Sequence, residues 1–303
     1  MDVVVGAALF AAGAALLVGS VERLASALMA WAAAAGLSGT ALAALVLGAD
    51  LESTAAGVSG TLNDAPEVVL GASVGSAILL LTLGLGLAGV VAPFRATPPV
   101  RILAATAVGI ALASGLMLDG RASRVDGAVL VAGFVALLLT LVLPALRVGA
   151  AEPSEGARSD ILVALLALAG LIAGAELLVL GTERIVDGIG IAATFFGLVV
   201  VAAAVSLEEL VLEMLPAYRG APEISVGNAL GTTIFMLTGS LGVVALVRPF
   251  AVSHDVRAFH LPALAIAFAL AATLLARGGI GRREGAVLVA LYPLYILGAA
   301  LIG

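Results

Sequence analysis

The chain has 303 residues, 62% hydrophobic and 11% charged, with a mean hydropathy of +1.23. Soluble domains hold about 45–50% apolar and about 25% charged residues, so the solvent here is a bilayer and no segment is polar enough for a separate soluble domain. The net charge of -6 leaves no basic face for nucleic acid, and the absence of cysteine excludes disulfide and thiolate–metal chemistry.

A helix needs about 20 apolar residues to cross the hydrocarbon core. Ten stretches qualify, over residues 2–20, 34–61, 66–92, 99–118, 126–147, 160–181, 193–217, 222–247, 257–276 and 284–302. Nothing basic precedes the first, which reads as a retained membrane helix rather than a cleaved signal. The only long polar stretch, Arg147 to Asp160, falls between spans five and six. It divides the chain into a first unit at 1–148, a polar cytoplasmic linker at 149–159 and a second unit at 160–303. Glu67 and Glu223 follow Pro66 and Pro222 in the first turns of spans three and eight, where negative charge complements the helix dipole. His254 and His260 flank the start of span nine and read as solvated loop residues. Odd-numbered loops hold nine arginines, Arg23 among them, and even-numbered loops five, Arg184 among them. That bias puts the odd loops in the cytoplasm and both termini outside a cell membrane.

The two units are copies. A shift of 156 residues carries Asp50-Leu-Glu-Ser onto Ser206-Leu-Glu-Glu, Pro66-Glu67 onto Pro222-Glu223, Gly75-Ser76 onto Gly231-Thr232 and Pro93-Phe94 onto Pro249-Phe250. Five spans per copy is an odd number, so the second copy enters the membrane from the opposite side. The fold class is therefore all-α integral membrane, with ten transmembrane helices in two inverted five-helix repeats, a pattern of secondary transporters. Gly71-Ala-Ser-Val-Gly75 and Gly227-Asn-Ala-Leu-Gly231 are stripes of small residues that permit close helix approach.

Acids sit at matching depth in both copies: Asp50 and Glu52 in span two, Glu208 and Glu209 in span seven. A carboxylate at the bilayer centre costs about 2.5–3.5 kcal/mol on insertion scales. No arginine lies nearby in the sequence to pair with these four, so a cation, a proton or water must compensate them. Carboxylates and hydroxyls are hard oxygen ligands, suited to Ca²⁺, Mg²⁺, Mn²⁺ and Na⁺.

Ala204-Val-Ser-Leu-Glu-Glu-Leu followed by Gly227-Asn-Ala-Leu-Gly-Thr-Thr-Ile-Phe resembles the second signature repeat of the calcium/cation antiporter superfamily, the sodium/calcium exchanger-like proteins. Gly48-Ala-Asp-Leu-Glu-Ser with Gly71-Ala-Ser-Val-Gly-Ser-Ala-Ile resembles the first. The resemblance implies that Glu209 is the cation-binding glutamate, with Ser206 and Thr232 as hydroxyl ligands and Ser76 facing them from the first copy. In that copy the essential glutamate is matched by Ser53 and the serine ligand by Asp50, so acid and hydroxyl have traded places. The proline that helps break each helix is matched by Glu52 and Glu208. Where the family often keeps Asn or Asp, this chain has Leu80 and Met236.

The function expected is secondary active antiport of a hard cation, Ca²⁺ foremost, against Na⁺ or H⁺ by alternating access. The cation is substrate, no cofactor is expected, and the partners are inorganic cations and the lipid bilayer. The candidate ligand set is Asp50, Glu52, Ser53, Ser76, Ser206, Glu208, Glu209 and Thr232; whether Asp50 or Glu52 lines the cavity is left open. The alternative is a transporter-fold protein that has turned to sensing or scaffolding. Neither a Ser–His pair nor a metal triad stands in the motifs, so an enzyme is not expected.

Overall fold

The computed structural model describes residues 2–35, 43, 66–147, 155–189 and 209–302. All long elements are helices, and among the described residues six are long and apolar enough to cross a membrane. The first, α1 (Asp2–Ala35), has 34 residues, and α6 (Glu155–Ile189), which opens the second copy, has 35. At about 1.5 Å per residue each is about 50 Å long, well beyond the roughly 30 Å apolar core, so both must tilt or emerge. They run through Glu22-Arg23 and Glu183-Arg184, which corrects the assignment of Arg23 and Arg184 to loops. Breaking a helix near the bilayer frees carbonyls that need new partners, so continuing it is cheaper. The start of α6 at Glu155 likewise makes the end of the expected linker helical.

α1 and α6 pack antiparallel through small residues. A Cβ on Gly6 would lie 2.8 Å from the Gly181 carbonyl, and one on Gly174 would lie 3.0 Å from the Gly13 carbonyl. The contact numbers rise along one helix as they fall along the other, as inverted counterparts require.

Spans three and eight share a second device. Span three is α2 (Pro66–Leu79), a π-helical segment (Leu80–Gly84) and α3 (Leu85–Val91). Span eight is α8 (Pro222–Ile234), a π-helical segment (Phe235–Ser240) and α9 (Leu241–Val247). Thr82 donates its hydroxyl to the Ile78 carbonyl at 2.5 Å, and Thr238 donates to the Ile234 carbonyl at 2.5 Å. The 156-residue shift carries one pair onto the other. Single π turns inside helices gather at functional positions.

The loops repeat the symmetry. Phe94 pairs with Ile280 in one antiparallel bridge, and Phe250 pairs with Ala122 in the two-residue ladder of β1 (Arg121–Ala122) and β2 (Phe250–Ala251). Gly86 approaches Gly285, as Gly242 approaches Gly127. Each copy therefore lends its third span to the fifth span of the other. These fifth spans are α5 (Arg124–Arg147) and α11 (Arg282–Ile302), and the fourth are α4 (Val100–Leu116) and α10 (Leu261–Ala276). A helix over 209–218, α7, precedes α8.

Two apolar clusters result. The larger joins spans three, four, five, eight, nine and ten around Leu80, Leu81, Leu130, Leu237 and Leu264. The smaller joins α1 and α6 around Leu17, Val21, Leu24 and Leu171. α7 lies between them: Leu210 packs on the larger, and Val211, Leu212 and Leu215 on the smaller.

Candidate functional site

Of the eight candidate ligands, Asp50, Glu52, Ser53, Ser206 and Glu208 lie outside the described residues. The other three fall on three helices. Glu209 is half-buried at the start of α7. Thr232 is buried on α8 with 4% of its surface exposed, and Ser76 is half-buried on α2. α2 and α8 are in contact, and α7 is tied to α8 where the Ala217 N–H donates to Ser225 Oγ at 3.1 Å. The sequence folds this way because Gly220, in a left-handed conformation at φ 82°, turns the chain between α7 and α8. Pro222 then starts α8 without needing a backbone donor, and Glu223 occupies the first turn as expected.

Several neighbours of this region carry protonatable groups. Glu209 is within electrostatic reach of Glu213 on its own helix and of Tyr292 on α11. The Tyr292 and Tyr295 rings are 6.2 Å apart, and the Tyr295 hydroxyl is 2.8 Å from His260 Nδ1. His260 is thus a half-buried helical residue, in the π-helical turn Val256–His260, and not the solvated loop residue expected. His254 is solvated as expected, with 82% of its side chain exposed, but it lies in a helical turn rather than a loop. Leu80 and Met236, at the positions where the resemblance would lead one to look for Asn or Asp, are buried among apolar side chains. Any ion held here is coordinated without them.

Glu213 is the residue the sequence reading passed over. It is fully buried, and neither carboxyl oxygen has a hydrogen-bond partner among the described residues. A signal existed: an acid four residues after Glu209 in an apolar run shares its helix face. It was missed because the first copy has Gly57 there, so the repeat comparison does not mark it. The small-residue stripe also reads differently in three dimensions. Nothing among the described residues lies within 4 Å of a Cβ placed on Gly71, so close approach to another described helix does not account for that glycine.

A cavity of about 330 Å³ opens between α1 and the α7–α8 turn, lined by Val21, Glu22, Ser26, Leu215 and Arg219 among others. Arg219 donates to the Glu22 carboxylate across its mouth, joining the smaller cluster to the α7–α8 pair.

Apolar spans, two copies meeting in mirrored contacts, and paired π-helical interruptions beside buried polar residues define a secondary-transporter type of membrane protein. The sodium/calcium exchanger protein family matches residues 5–143 and again residues 159–301. The chain belongs to that family, whose members are antiporters of inorganic cations. It is 34% identical over 140 residues to the inner membrane protein YrbG of Escherichia coli, covering 44% of this chain and 43% of that protein. It is 28% identical over 247 residues to the membrane protein MJ0091 of Methanocaldococcus jannaschii, covering 77% and 76%. To the sodium/calcium exchanger MaX1 of Methanosarcina acetivorans it is 31% identical over 144 residues, covering 47% and 41%. The chain thus spans less than half the length of two of these relatives. A solved structure of the sodium-calcium exchanger NCX_Mj superposes with a TM-score of 0.85 at 25% identity, over 96% of this chain and 97% of that one. The fold class expected from the sequence, an all-α membrane protein of ten helices in two inverted repeats, is that of this exchanger.

Proposed function

We propose that this chain is a secondary active antiporter that exchanges a hard divalent cation, Ca²⁺ foremost, for Na⁺ or H⁺ by alternating access. The observation that supports the reading is that Ser76 and Thr232 lie on α2 and α8, one helix from each copy and in contact, while Glu209 lies on α7, which is hydrogen-bonded to α8 through Ala217 and Ser225. A carboxylate at this depth needs a positive charge, and hydroxyls supply neutral oxygens that suit Ca²⁺. Asp50 or Glu52 from span two would complete the neutralisation of a divalent ion. The separation of α1 and α6 into their own cluster supports a mechanism in which that pair slides past spans two, three, seven and eight. Sliding alternately uncovers the two sides of the site, and the Glu22–Arg219 pair would open and close with it.

The substitution of acid for hydroxyl at Asp50 and Ser53, with Leu80 and Met236 in place of polar residues, favours one second reading: a scaffold or sensor without transport. Calcium uptake into proteoliposomes under an imposed Na⁺ or pH gradient separates the two. A transporter shows uptake that Glu209→Gln abolishes; a scaffold shows none in the unmutated protein.

A further inference from the structure

We propose that Glu213 is a second ion-binding carboxyl of this protein, taking one monovalent coupling cation, Na⁺ or a proton, apart from the divalent cation at Glu209. The inference rests on the antiport reading and names the site of its counter-ion. Glu213 has no exposed surface, and its two oxygens are orphans among the described residues. The buried side-chain atoms there that lack a hydrogen bond are four: these two oxygens, Asn228 Oδ1 and Arg101 Nε. Three of the four are acceptors on the α7–α8 hairpin.

They share one depth. The Ala217–Ser225 hydrogen bond sets the register of the hairpin. Four residues back from Ala217 is Glu213, and three on from Ser225 is Asn228, so at about 1.5 Å per residue the two lie within about 2 Å of one level. A fully buried carboxyl with no donor on either oxygen calls for a positive occupant.

Among the described residues no basic side chain is hydrogen-bonded to Glu213. Spans Pro66–Val91 and Pro222–Val247 contain no lysine, arginine or histidine, and their only acids are Glu67 and Glu223 in the first turns. On its own helix Glu213 faces Glu209, a like charge. α11 presents Tyr292 towards Glu209, with Tyr295 beside it. On α1, Glu22 is already paired with Arg219.

The fold makes room for this acid at a glycine. The carboxyl lies directly against Gly84, where any Cβ would overlap Glu213 Oε2. The 156-residue shift carries Gly84 onto Ser240 and Gly57 onto Glu213. One pairing sets a long acid against glycine, and the corresponding sequence positions hold glycine and serine.

The test uses the unmutated protein in proteoliposomes and an apolar carbodiimide, which modifies protonated carboxyls in dry sites, with mass spectrometry of the peptide holding Glu213. Protection by Na⁺ of at least about tenfold identifies Na⁺ as the occupant; labelling that falls about tenfold per pH unit, without protection by Na⁺, identifies the proton. Labelling indifferent to both, or absent under every condition, overturns the proposal. Glu213→Gln is expected to lower gradient-driven calcium flux at least about tenfold, and Gly84→Ala, which crowds the same carboxyl without removing it, to lower it as well. Should the unmutated protein move no calcium, the antiport reading falls while the labelling still decides whether Glu213 holds a cation.

Discussion

Glu209, Thr232 and Ser76 differ in how much chemistry each contributes. The glutamate alone brings charge, so Glu209→Gln is expected to abolish calcium flux with little change in size. Thr232→Val keeps the shape of a residue only 4% exposed and removes one oxygen, and is expected to raise the calcium concentration for half-maximal uptake about tenfold. Uptake at graded calcium concentrations measures both. These three residues stood out as candidates in the sequence because each repeats at a fixed shift or matches a family motif. Glu213 was not, since an unmirrored acid in an apolar run resembles a tolerated irregularity until its burial is seen. His260 was misread because its position at the start of span nine suggested a loop, and its contact with the Tyr295 hydroxyl joins residues 35 apart in the sequence.

The helices show which contacts hold the two clusters and which join them. α1 and α6 meet through Gly6, Gly13, Gly174 and Gly181 with backbones nearly touching. Gly181→Leu must push them apart, and overpacking of this kind is expected to destabilise by about 1–3 kcal/mol, read as a lower melting temperature in detergent. The Glu22–Arg219 pair is of the other sort. Both side chains are partly exposed, at 38% and 56%, so Arg219→Ala is expected to change stability by less than about 1 kcal/mol. Its effect belongs in transport rate, measured at low and high salt. Apolar length located these helices well. It failed at the ends of α1 and α6, because hydropathy falls at Glu22-Arg23 and Glu183-Arg184 while the helix continues. The π-helical turns in spans three and eight had no sequence signature beyond the matched Thr82 and Thr238.

Across the whole molecule the inverted repeat is the organising fact. It was readable from an odd number of spans per copy and one constant shift, and it reappears in mirrored contacts such as Phe94–Ile280 and Phe250–Ala122. The orientation expected from arginine placement is tested by a single introduced cysteine, which the chain allows because it has none. Ser154→Cys in the linker is expected to react with an impermeant maleimide from the cytoplasmic side only. The central claim is that opposed oxygen ligands from both copies carry a hard cation across the membrane. Calcium uptake by purified protein in sealed proteoliposomes tests it most directly. The account predicts uptake driven by an outward Na⁺ or H⁺ gradient and lost in Glu209→Gln. The same uptake in empty liposomes, or none under either gradient, would contradict it.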